Sequence, residues 1–308
     1  MYDIIGDIHG HAEPLVKLLQ KMGYREDSEG WFHPERKVVF LGDFIDRGPD
    51  QAAVIKIAQS MVEAGNARAI MGNHEFNAVS FATPDPDNPG HGLRSDTKRK
   101  RAQHQVFLDQ MVEGSTAHRE AVEWFKTLPI YLDLPGFRAI HACWSDIQIR
   151  ALQPYLDQHN RLRRSAWAPA NQKGSVAHAA IEDLLKGYEI TVPGGYIFRQ
   201  NETPRYEARV RWWAEQDLPL NNSALVPGGH TVEFPDLVVE AAGLPNYDNQ
   251  KPLFIGHYWF TGTPEPITPH IACLDYSIAA RDHSGKLVAY RWDGEITLHK
   301  DKFVAVGH

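Results

Sequence analysis

Tyr2-Asp3-Ile4-Ile5-Gly6-Asp7-Ile8-His9-Gly10 is the stretch that decides the fold, because a strand-like run over 2–5 leads directly into a glycine, an acid and a histidine. Ala12 to Met22 follows with Leu15, Leu18, Leu19 and Met22 at helical spacing, so the opening unit is strand, polar loop, helix. The unit recurs. Val38 to Leu41 predicts a second buried strand, ending in Gly42-Asp43-Phe44-Ile45-Asp46-Arg47-Gly48, and Ala52 to Ala64 a second helix. Ala67 to Met71 predicts a third strand, ending in Gly72-Asn73-His74-Glu75. Alternating β and α elements predict an α/β fold with a mainly parallel sheet.

In open α/β sheets the loops at the carboxyl ends of strands converge on one crevice. Here those loops carry metal-ligand residue types beside glycines that let the backbone turn sharply. One Asp or His after a strand is usually a helix cap or a satisfied polar group. Three Gly-Asp or Gly-Asn elements in order, each behind an apolar strand, have few purely structural explanations.

The series GDIHG, GDFIDRGP and GNHE, followed by a strand-ending His141 and by Gly256-His257, resembles the phosphoprotein phosphatase branch of the calcineurin-like metallophosphoesterases, whose relatives include bacterial diadenosine tetraphosphatases. The resemblance is dense over residues 3–77 and confined to islands near 141, 257 and 275 beyond them. It implies a β-sandwich core of mixed sheets flanked by helices. It also implies that Asp7 and His9 hold a first metal, that Asp43 bridges two metals, and that Asn73, His141 and His257 complete the second. Arg47 would clamp phosphate oxygens and His74 would protonate the leaving group, oriented by Asp46. Asp275 resembles an acid that supports the metal site from nearby. The chemistry implied is in-line attack on a phosphate ester by a hydroxide bridging two divalent cations. Oxygen and imidazole ligands suit Mn²⁺ first, with Fe or Zn²⁺ as alternatives.

The rest of the chain is read more plainly. Residues 1–308 are expected to form one metallophosphoesterase domain with a substrate-shaping insertion, or cap, at about 150–250, where periodicity is weak. Pro84, Pro86, Pro89, Gly90 and Gly92 mark a lip over 81–104, and Lys98 to Arg101 opens a helix-like stretch reaching about Glu113. That basic run reads as a solvated helix face. Phe137 to His141, Pro252 to Ile255, His270 to Asp275 and Leu287 to Trp292 predict strands, and Glu295 to His299 a final hairpin strand after the Asp293-Gly294 turn. His11 is expected to be exposed or to cap its helix, Glu75 to support loop geometry, and Trp212 and Trp213 to pack. The resemblance also implies a further substrate arginine from the central region, for which Arg199, Arg205, Arg209 and Arg211 are all candidates. His230 carries no spacing argument.

A formal net charge of −7 argues against bulk nucleic acid as a partner. No apolar run approaches the roughly 20 residues that span a bilayer. Cys143 and Cys273 lack a paired spacing and read as small buried hydrophobes, which fits a reducing compartment. With the first motif beginning at Gly6, no room for a removable leader is expected, and the location expected is cytoplasmic. The motifs favour a phosphomonoesterase of the serine/threonine protein phosphatase type acting on a phosphorylated protein. The alternative is a bis(5'-nucleosyl)-tetraphosphatase acting on a small nucleotide, and a non-catalytic phosphate-binding scaffold ranks third.

Overall fold

The computed structural model describes residues 1–192, 198–200, 203–225, 234 and 237–308, the side chains of 198–200 and 203–205 excepted. Two mixed sheets pack face to face. In the larger, Asp275–Tyr276, Lys286–Trp292, Tyr2–Ile5, Lys37–Phe40 and Ala67–Ala69 lie in that order, and Phe303–Val306 also pairs with Lys286–Trp292. Tyr2–Ile5 runs parallel to Lys37–Phe40, which runs parallel to Ala67–Ala69. The second sheet orders Ile271–Cys273, Leu253–Ile255, Arg138–Ile140 and Tyr131–Asp133, with only the last strand antiparallel to its neighbour.

Side-chain alternation explains why the strands read as unbroken apolar runs. Ile4, Val39 and Phe254 enter the layer between the sheets, while Ile5, Val38, Phe40, Leu253 and Ile255 face the helices. Both faces are therefore covered, as buried parallel strands require. Leu15, Leu18 and Leu19 of the helix Ala12–Lys21 and Val54, Ala58 and Met61 of Gln51–Glu63 supply that outer cover. Asp50 starts the second of these helices by accepting from the Ala53 N–H at 3.0 Å.

This topology sends the loops after Tyr2–Ile5, Lys37–Phe40, Arg138–Ile140 and Leu253–Ile255 to one edge, joined by the start of the helix Asn73–Ala82. Near the end the chain switches sheets. Ile271–Cys273 belongs to the second sheet and Asp275–Tyr276 to the first, so Asp275 lies at the junction between them.

Two expectations differ from what is found. Glu295 to His299 is not a strand, and the segment after Lys286–Trp292 that returns to pair with it antiparallel is Phe303–Val306. Glu295 is occupied by the turn: its carbonyl accepts from Trp292 Nε1 at 2.9 Å and its carboxylate from the Asp293 N–H at 2.9 Å. The irregular stretch also begins later than about 150. Helices Asp146–Leu152, Trp167–Asn171 and Val176–Lys186 place Leu152, Trp167, Ile181, Leu184 and Leu185 in the main core. A separate small core of Val192, Ala208, Val210, Leu220, Val239 and Leu244 forms only beyond them. His230 lies outside the described residues. Among the described residues no helix is long and apolar enough to cross a membrane.

Asp3 is a fully buried acid within a central strand. Its carboxylate accepts from Tyr24 Oη at 3.0 Å, from Arg36 Nε at 2.9 Å and from Arg291 Nε at 3.2 Å. Arg36, itself 6% exposed, also donates to the Tyr2 and Trp292 carbonyls and pairs with Asp293. The acid thus organises a charge cluster that pins both neighbours of the Tyr2–Ile5 strand. Removing one partner of a buried ion pair leaves the other uncompensated. Asp3→Ala is expected to lower stability by roughly 3 kcal/mol in urea unfolding.

Candidate metal centre

The site is built on strained backbone. His9, Asp43, Asp46, Arg47 and His257 all have positive φ, from 47° to 73°. Such conformations cost non-glycine residues about 1–3 kcal/mol each and persist only where surrounding structure fixes them. Here Glu75 does much of the fixing. Fully buried, it accepts from the Asp43 and Phe44 N–H groups at 2.8 Å and from the Gly72 N–H at 3.1 Å. The Asp43 carbonyl in turn accepts from the N–H groups of Ile8 at 3.0 Å and His9 at 2.8 Å, locking the first motif onto the second. Two glycines permit the close approaches. A Cβ at Gly72 would lie 2.2 Å from Asp43 Oδ1, and one at Gly256 would lie 2.1 Å from Asp7 Oδ1.

The Asp43 carboxylate, 2% exposed, faces two groups of ligand atoms. Its Oδ2 lies 3.6 Å from His9 Nε2 and 3.9 Å from His74 Nε2, while its Oδ1 lies 3.4 Å from His141 Nε2. His9, Asp43 and His74 form one cluster, and Asp43, His141 and His257 the other, with the ligand atoms of each within 4.8 Å of one another. His9 Nδ1–H donates to the Ile45 carbonyl at 2.8 Å and His141 Nδ1–H to the Leu41 carbonyl at 2.7 Å. Each bond orients a ring so that Nε2 turns inward, the arrangement that presents a lone pair to a metal. His9 Nε2 and His257 Nε2 are buried without a hydrogen-bond partner. Two orphaned nitrogens on opposite sides of one shared carboxylate fit a pair of divalent cations.

The other expected ligands stand at the margins of these clusters. Asn73 Oδ1 is 3.2 Å from His141 Nε2, and the Asp7 carboxylate accepts from the His257 N–H at 3.1 Å. Asp275 accepts from the Trp259 and Ser277 N–H groups at 2.8 and 3.0 Å. The buried acids shift one another. Burial, followed by the nearby charges of Asp275 and Asp43, pushes the Asp7 carboxyl well above the usual range. Burial and Asp43 raise Glu75 to about 7, and burial raises Asp275. Burial opposes ionisation of Asp43 too, but the His141 and His74 charges outweigh it and hold Asp43 low. His141 is pulled down by burial yet raised to about 10 by Asp43. Burial, with Arg47 beside His9 and Arg209 beside His257, keeps those two imidazoles neutral.

On the open side, Arg47 makes no hydrogen bond among the described residues, and its guanidinium lies 4.1 Å over the Trp259 ring. His74 Nδ1 is 2.5 Å from Asp46 Oδ2. Burial opposes ionisation of Asp46, but hydrogen bonds from His104 and His74 bring it down to about 2, so it is a carboxylate. His104 was not singled out from the sequence. It stands 58 positions from Asp46 in a different element, and no local pattern marks it.

The remaining expectations resolve individually. Arg209 lies near His257 and pairs with Glu189 at 3.3 Å, whereas Arg211 is exposed and the side chains of Arg199 and Arg205 are outside those described. His11 is not exposed: it stands at the N-cap position of Ala12–Lys21 without a side-chain capping bond, is 8% exposed and packs on His308, ring centroids 4.9 Å apart. Trp212 and Trp213 pack, and Trp212 Nε1 donates to Tyr258 Oη at 2.8 Å, bracing the segment that bears His257. Arg101 pairs with Asp96 and Glu113 on the outer side of its helix.

A family model described as calcineurin-like phosphoesterase matches residues 2–249, and the chain belongs to that family. It is 35% identical over 141 residues to the bis(5'-nucleosyl)-tetraphosphatase PrpE (asymmetrical) of Oceanobacillus iheyensis, covering 46% of this chain and 54% of that one. The protein of the same description from Geobacillus sp. (strain WCH70) is 33% identical over 141 residues, covering 46% and 55%. The chain spans about half the length of these curated relatives. A solved structure provisionally assigned as a diadenosine tetraphosphatase shares the fold, with a TM-score of 0.50 at 15% identity over 99% of this chain and 92% of that one.

Because Glu75 supports three backbone N–H groups around Asp43, Glu75→Ala should lower metal affinity by about 10–100-fold. Calorimetric titration of Mn²⁺ into the metal-stripped protein checks this, with wild-type affinity as the contrary result.

Proposed function

We propose that this chain is a dinuclear metal-dependent phosphoesterase acting on dinucleoside polyphosphates. The observation that carries the reaction class is the Asp43 carboxylate, which turns one oxygen toward His9 and the other toward His141 beside buried, unpartnered His9 Nε2 and His257 Nε2. Two divalent cations, Mn²⁺ in our reading, would polarise the phosphoryl group and supply a nucleophile at neutral pH. Asp7, His9, Asp43, Asn73, His141 and His257 would hold them, with Asp275 bracing the Trp259 segment nearby.

The protein's own groups do the rest. Arg47 stands at the rim, stacked on Trp259, where its planar fork can take two phosphoryl oxygens. His74, bound through Nδ1 to Asp46, turns Nε2 inward and donates a proton to the departing oxygen. Arg209, near His257, is a candidate for a second contact.

The substrate preference inverts the order expected from the motifs. GDFIDRGP and GNHE suggested a protein phosphatase first, whereas the curated relatives are described as asymmetrical bis(5'-nucleosyl)-tetraphosphatases. Diadenosine tetraphosphate is therefore the first substrate to test. Asymmetric cleavage would release ATP and AMP, separable by chromatography from the two ADP molecules of a symmetric cut. Faster metal-dependent turnover of a phosphothreonine peptide would restore the protein-phosphatase reading.

Asp43→Asn is expected to reduce turnover by at least about 100-fold and to lower bound metal, since one carboxylate would serve both cations. Full activity with normal metal content, by elemental analysis, would refute the shared-ligand assignment.

A further inference from the structure

Asp46 has two histidine partners. Its Oδ2 meets His74 Nδ1 at 2.5 Å, and its Oδ1 meets His104 Nδ1 at 2.8 Å. An ionised carboxylate only accepts hydrogen bonds, so both rings must present Nδ1–H to it. His104 comes from the helix Lys98–Met111 of the lip, a segment that the resemblance leaves unexplained. It is 6% exposed, its ring centroid lies 4.8 Å from that of Phe107 and 6.0 Å from that of Phe81, and its Nε2 is buried without a partner. A histidine with one unpaired buried nitrogen is a poor choice for packing alone.

The same helix grips the strained loop at a second point. Gln110 Oε1 accepts from the Gln51 N–H at 2.7 Å, and Gln110 Nε2 donates to the Pro49 carbonyl at 2.6 Å. Gln51 Oε1 in turn accepts from the Asp46 N–H at 2.6 Å. Asp46, at φ 70°, is thus held through its backbone by Gln51 and through its side chain by His104.

We propose that His104 is a positioning residue for leaving-group protonation: it fixes the Asp46 carboxylate so that the His74 ring keeps Nε2 turned toward the departing oxygen. With His104 removed, Asp46 Oδ1 would lose its partner and the carboxylate could rotate about its bond to Cβ. The His74 ring would then sample orientations in which Nε2 misses the substrate. The lip would in this way act on chemistry through one hydrogen bond. The inference rests on the general-acid role given to His74 above.

The test uses the full-length, Mn²⁺-loaded chain and a series of phosphate esters with leaving groups from p-nitrophenol through phenol to a simple alcohol. His104→Leu should lower kcat by about 10–100-fold on the alkyl ester, with a much smaller loss on p-nitrophenyl phosphate, whose leaving group needs little protonation. His104→Asn, whose amide N–H₂ can reach the place of Nδ1, should recover most of the loss. His104→Gln, which sets its amide further out, should resemble His104→Leu and serves if the leucine variant does not fold. In a His74→Asn background, His104→Leu should add little, since there is no acid left to position.

A loss equal for all leaving groups, or one that multiplies fully with that of His74→Asn, would reduce His104 to a packing role and overturn the proposal. If His74→Asn is selective for poor leaving groups and neither His104→Leu nor His104→Gln is, only the His104 proposal fails. If His74→Asn is itself blind to the leaving group, the acid assignment fails and the proposal with it.

Discussion

The shared carboxylate of Asp43 is the constraint around which the rest is arranged. It must turn its two oxygens to opposite sides, and a flexible side chain does so only when its backbone is fixed. The Asp43 and Phe44 N–H groups are taken by Glu75, the Asp43 carbonyl by the Ile8 and His9 N–H groups, and Oδ1 also accepts from the His74 N–H at 3.0 Å. Three motifs from three strands therefore meet at one residue. The positive φ values there are maintained by this network and by the packed sheets beneath it.

Electrostatics gives the arrangement its chemical direction. Asp7, Asp43, Asp46, Glu75 and Asp275 are all buried within one small region. Burial pushes Asp7, Glu75 and Asp275 upward, while Asp43 raises His141 against the effect of burial. Divalent cations would offset this concentration of negative charge. Asp46 differs from the others. Hydrogen bonds from two histidines bring it down to about 2 against the effect of burial and keep it ionised.

The helices before the late insertion and the lip give the edge its enclosure. Val176–Lys186 packs into the main core, while Trp212 and Tyr258 tie the insertion to the segment carrying His257. Arg47 and Trp259 remain at the open rim, where a phosphate ester would enter.

The sequence by itself determined the strand–loop–helix units and the polar residues that end the strands, while the resemblance of its motifs to a known family supplied the candidate roles of Asp7, His9, Asp43, Asn73, His74, His141 and His257. It could do so because apolar runs and turn glycines act over a few residues, within reach of local pattern. The helices over 146–186 are short, which leaves little periodicity to read, and the turn bonds of Glu295 compete with the ladder. Only the tertiary structure decided that Asp43 faces two clusters, that Arg209 stands near His257, that His11 is buried and that His104 reaches Asp46. Those relations join residues tens to hundreds of positions apart, and their geometry follows from how sheets and helices pack, which no local spacing encodes.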